Sequence, residues 1–200
     1  MALNFAVNNS LSAITSLPAS VSGGGLNLIS TQTASSSSTI DFTSGLDSTY
    51  KEYIFKFYDI HPATDGANLT FQSSTNAGSS YGVTATTSCF ISRHHEDDSA
   101  TALVYQTSDD EAQSTNFLRL SSGSGNANDE CLVGTLHLFS PSDTTIVKHF
   151  ICRNQYYNDS DISIDWYLAG YFNTTTAIDG VQFKFSSGNI SGVIKLYGIS

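Results

Sequence analysis

After residue 25 the chain is written in a period of two. In EYIFKFYDI (residues 52–60), Tyr53, Phe55 and Phe57 fall on one side, and Ile54, Lys56 and Tyr58 on the other. Successive side chains point to opposite faces only along an extended strand, whereas a helix repeats every ~3.6 residues. The same alternation recurs in short runs at 67–73, 80–91, 101–106, 115–120, 131–140, 145–155, 162–173, 181–186 and 193–199. Between the runs lie Gly, Asn, Asp and Ser, the residues that turn a chain. Twelve Phe and ten Tyr suit a pleated, half-buried surface. Two hundred residues fit one domain. Evenly spaced short strands with such turns predict an all-β sandwich or barrel.

Two stretches set more detailed expectations. In LNLISTQTA (residues 26–34), Leu26, Leu28 and Ser30 share a face, and the Ser35–Ser38 run is read as a turn into TIDFT, where Ile40 and Phe42 alternate. At the end of the sequence, Val181, Phe183 and Phe185 point inward, SSGNIS turns the chain, and Ile194, Leu196 and Gly198 return on one face. That closing pair reads as a hairpin, with the last strand paired inside a sheet.

Residues 1–25 differ. Leu11, Ile14 and Leu17 recur at helical spacing after Ser10, Pro18 closes the segment, and Gly23, Gly24 and Gly25 form a joint. Two helical turns do not stand alone in water. This stripe needs a partner surface, on its own domain or on a neighbour. We therefore divide the chain into a docking arm, 1–25, and a β-domain, 26–200. The opening MALNFAVNNS has no cationic region and no long apolar run, so a signal peptide is not expected.

Charge removes whole classes of partner. The net charge is −10, and the eight Lys and Arg are scattered singly. Nucleic acid requires clustered cations to neutralise phosphates, and an anionic membrane surface is disfavoured for the same reason. Cys89, Cys131 and Cys152 form no C-x-x-C pair and sit in or beside apolar runs, as small buried thiols do.

Chemistry-bearing clusters are few. RHHEDD (residues 93–98) brings His94 and His95 beside three carboxylates, but adjacent residues on a strand point apart, so a solvated loop is the simpler reading. SDDEAQ, with Asp109 and Asp110, and NANDE read the same way; a weak Ca²⁺ site would need these acidic loops to meet. NDSDISID carries Ile164 where a calcium loop needs Gly. The histidines His61, His137 and His149 are isolated, and no triad is indicated. Trp166, among Tyr156, Tyr157, Tyr167 and Tyr171, is either a sugar-stacking platform or a core aromatic. No catalytic residue, cofactor or metal ligand is assigned.

The order of segments resembles a family of tailed-bacteriophage virion structural proteins. The resemblance rests on Leu17-Pro18 with its glycines, Thr33-Ala34-Ser35, the IDFTSGLDSTY of Ile40 to Tyr50, the aromatic run Tyr53 to Tyr58, and the closing G-x-I-K-L-Y-G-I-type strand of Gly192 to Ile199. It implies a jelly-roll-like antiparallel β-sandwich with a short N-terminal arm, used as a head decoration, fibre or tail component and usually assembled as a homotrimer. It implies a location in the virion, other virion proteins as partners, no catalysis and no cofactor. A single domain without a repetitive shaft favours head decoration or minor capsid over tail fibre. Residues 74–130 match least, and a receptor or ligand would be read there. The alternative is a module binding host surface glycan through Trp166 and the loops holding His94, His95, Asp109 and Asp110.

Overall fold

The computed structural model describes residues 25–200. The period-two runs become strands β1 (Leu26–Ser37), β2 (Ile40–Phe42), β3 (Glu52–Pro62), β4 (Leu69–Ser74), β5 (Ala85–His95) and β6 (Thr101–Tyr105). They continue as β7 (Leu118–Arg119), β8 (Leu132–Phe139), β9 (Lys148–Tyr157), β10 (Ile162–Phe172), β11 (Gly180–Phe185) and β12 (Ile190–Ile199). All the pairings are antiparallel: an eight-stranded sheet in the order β1-β12-β3-β8-β9-β10-β5-β6, and a four-stranded sheet in the order β2-β11-β4-β7. The two sheets pack as a β-sandwich, and the chain crosses repeatedly from one to the other.

Aromatic rings join the layers. Phe183, on the smaller sheet, meets Phe55 and Phe57 of the larger one at 5.3 Å between ring centres. Phe71 likewise meets Phe150 at 5.2 Å and Phe172 at 5.9 Å, edge to face. Edge-to-face contact sets the positive ring edge on the negative ring face, an attraction beyond simple burial. Tyr53, Phe55 and Phe57 are buried as the alternation predicts, and so are Val181, Phe183 and Phe185.

The closing pair departs from the hairpin expectation. β11 lies between β2 and β4 in the small sheet, while β12 lies between β1 and β3 in the large one. The turn between them therefore carries the chain across the sandwich. Gly188 supplies the left-handed residue (φ 71°), and a Cβ there would stand 2.3 Å from the Thr64 hydroxyl. Asn189 ties the turn down, donating from Nδ2 to the Ser36 carbonyl at 2.9 Å.

The start of β1 also differs. A register shift between Leu28 and Ser30 turns Ile29 toward the core and leaves Leu26 and Leu28 exposed. Instead of turning at Ser35, β1 runs on to Ser37, with Ser36 left-handed (φ 55°) at a second irregularity. Leu11, Ile14 and Leu17, the stripe of the expected docking arm, lie outside the described residues.

Candidate interaction surface

One face of the eight-stranded sheet packs on the smaller sheet; the other faces outward. Its registers place Tyr105, Phe90, Tyr167 and Arg153 side by side across β6, β5, β10 and β9. Phe90 and Tyr167 stack at 4.6 Å with only 6° between their planes, and the Arg153 guanidinium lies 5.0 Å from the Tyr167 ring centre. Arg153 grips Asp165 through two hydrogen bonds of 3.0 and 2.7 Å, and the Tyr167 hydroxyl donates to the same carboxylate at 2.9 Å. That guanidinium holds the Asp165 carboxyl below its usual range. The result is a row of aromatic rings with its charges already paired, which lowers the cost of covering it.

The strip ends on an exposed edge. β6 closes the order of the large sheet, and its Leu103 is 76% exposed. Tyr105 projects beside Leu103 on the outer face, and Val104 is exposed on the opposite side of the strand. Beside the strip, the small side chains of Ser88 and Ala169 leave a depression of about 510 Å³, bordered by Thr86, His149, Ile151 and Tyr171. Ile151 there is 53% exposed. Phe90, Leu103 and Ile151 are not among the residues that motifs or charge single out in the sequence. The available signal was large apolar residues at the polar phase of an alternation, such as Phe90 between Cys89 and Ile91.

The predicted site residues are not brought together. Trp166 is a core aromatic, fully buried, so the sugar-platform alternative for this residue is corrected: its ring offers no face to a ligand. Asp109 is buried and paired with Arg119. Asp110 does reach the strip, accepting a hydrogen bond from the Tyr105 hydroxyl at 2.8 Å. His94 and His95 stand on the end of β5 rather than in a loop, and His94 bonds Asp98 at 2.9 Å. Thr87, whose amide bonds the Glu111 carbonyl, lies at the other end of β5, so the two acidic loops sit at opposite ends of that strand. Among the described residues no group of three His, Cys, Asp or Glu is placed to hold a metal ion.

Near His95, the Tyr157 hydroxyl lies 2.8 Å from Glu96 and 2.9 Å from Asp161. One hydroxyl has one proton, so it donates to one carboxylate at a time. Both acids push the Tyr157 phenol above its ordinary value. Elsewhere His137 Nδ1 lies 2.6 Å from Glu52, and His61 Nε2 lies 2.9 Å from the Ala127 carbonyl. All three cysteines are free; burial pushes the Cys89 thiol up to about 12, far from a reactive thiolate. No protein-family model matches the chain, and no curated protein is significantly similar to it.

Proposed function

We propose that this chain is a non-enzymatic structural protein of a tailed-bacteriophage virion, a jelly-roll-like sandwich that assembles as a homotrimer on the particle, as head decoration or minor capsid component. The observation that carries the assembly role is β6. Edge strands of monomers are blunted by charge, proline or cover, because an open edge recruits another chain. β6 instead presents Leu103, Val104 and Tyr105 on both of its faces. The segment order that resembles virion proteins supports the location.

Two measurements test this. Light scattering after size exclusion gives a trimer mass for the native chain, and Leu103→Lys shifts it to monomer; a native monomer at high concentration would end the assembly reading. Immunogold labelling of intact particles places label over the head. Label at the tail tip moves the protein to host recognition, and unlabelled particles overturn the virion reading.

A second reading, a module for host surface glycan, has its own observation. The half-exposed Phe90 and Tyr105 rings lie side by side on the outer face, with the Asp110 carboxylate beside them as an acceptor. Saturable glycan binding abolished by Tyr105→Ala, with the fold intact, would favour it.

A further inference from the structure

We propose that, between copies of this chain, the β6 end of one outer face lies on the β1–β12–β3 end of the next, with the Asp110 carboxylate set between Lys56 and Lys195. This rests on the trimer reading and names the surface that β6 meets.

A cyclic trimer cannot pair a patch with itself: each copy gives one patch and receives its neighbour on another. β6 supplies the first patch, and strand register locates the second. The cross-strand row that holds Tyr105, Phe90, Tyr167 and Arg153 continues through Thr135 to Lys56 and Lys195. One row therefore carries a carboxylate at its β6 end, where Asp110 meets Tyr105, and two cations towards the other. β6 and β3 are five strand spacings apart, roughly 24 Å at ~4.8 Å each, so Asp110 is out of reach of the lysines of its own chain.

The two lysines are set up to receive a carboxylate. Lys56 and Lys195 stand directly opposite one another across β3 and β12, and like charges so placed destabilise a strand pair. Among the described residues no carboxylate forms an ion pair with either. Each ammonium instead leans on a ring, Lys56 at 5.7 Å from the centre of Tyr197 and Lys195 at 5.4 Å from that of Tyr58. A carboxylate brought by a neighbour relieves the repulsion between them. In a chain of eight cations and eighteen acids, this facing pair attracts a second copy that most of the surface repels.

The surroundings match the rest of the β6 end. Leu28 lies beside Tyr197 in register, and Leu28 and Tyr58 are exposed. Together they offer aliphatic and aromatic surface to the Leu103 and Tyr105 of a neighbour. β1, β12 and β3, of 12, 10 and 11 residues, span roughly 14 by 36 Å, about 500 Å². Covered from both sides, that is about 1,000 Å², the size that a specific interface needs.

Cross-linking of the native assembly tests the contact. Ordinary and heavy-isotope chains are mixed, left to exchange, and treated with a carbodiimide, which joins a Lys amine directly to a carboxyl touching it. Mass spectrometry is expected to find Lys56 or Lys195 joined to Asp110 in peptides of mixed label. If these lysines join only carboxyls of their own chain, only other carboxyls, or none, the proposal is overturned. Charge exchange gives a second readout. Lys56→Glu together with Lys195→Glu weakens the trimer about tenfold or more, and so does Asp110→Lys alone. All three substitutions in one chain return the affinity to within about threefold of native; losses that simply add, or single exchanges without effect, overturn the proposal. A native monomer ends the trimer reading and this one with it. A native trimer with cross-links elsewhere or additive losses ends this one alone.

Discussion

Trp166 shows how a single side chain divides two readings. It is fully buried on β10, so its removal is a packing event rather than the loss of a ligand contact. Trp166→Ala is expected to cost about 3–5 kcal/mol, the range for deleting a large core aromatic, measured as a fall in the urea midpoint. Tyr167→Ala, one residue on and outward, loses its stack on Phe90 and its contact with Arg153 and is expected to cost only about 1–2 kcal/mol. Titration acts at the same scale. Thr49 amide bonding lowers the Asp47 carboxyl, Thr145 amide bonding lowers Asp143, and Arg153 lowers Asp165, each from an ordinary 3.8. A carboxylate whose pKa is lower in the folded than in the unfolded state adds stability above the unfolded value and loses it as pH falls through the folded one. Urea midpoints are therefore expected to stay level from neutrality to about pH 5 and to decline below 3.8. Asp165→Asn should make that decline shallower.

At the scale of strands, local pattern and long-range pairing part company. The alternation in residues 52–60 and 181–185 identified strands and their buried faces, because burial on one side of a pleat is written into neighbouring residues. Which sheet a strand joins is not. SSGNIS reads as a turn whether the next strand returns beside β11 or crosses the sandwich, and here it crosses. The alternation puts Leu26 and Leu28 on one apolar face, but it does not reveal the shift before Ser30 that sends Ile29 inward instead. His94 and His95 were assigned to a loop because charge masks a strand end that β10 pairs through Ile162 and Ser163. The outer-face strip was hidden more deeply, since Phe90, Tyr105 and Tyr167 become neighbours only through strand order. Irregularities also face each other across β12 and β3. Gly192 (φ 123°) lies at a register shift, and its Cβ position is 2.5 Å from the carbonyl oxygen of Asp59, itself left-handed. Gly192→Ala is expected to destabilise the protein by more than about 2 kcal/mol through strain and clash together. Amide exchange should speed up first in β12 around Ser191 and Val193.

For the molecule as a whole, the closing strand is structural. β12 is paired on both sides, with β1 and with β3. Removing residues 190–200 strips β1 of its neighbour and opens β3, so the shortened chain is expected to lose its cooperative melting transition. A sharp transition near the native midpoint would contradict this. The neighbourhood of β1 and β12 also bears on the timing of biosynthesis. Leu26 must wait for Ile199, and at roughly 5–20 residues per second that wait is about 10–35 s of translation. Until then the emerging chain holds an unmatched strand and an aromatic interior that cannot close. Pairings so distant in sequence also fold slowly once they are available. A ribosome that stops before β12 releases a product unable to complete its large sheet.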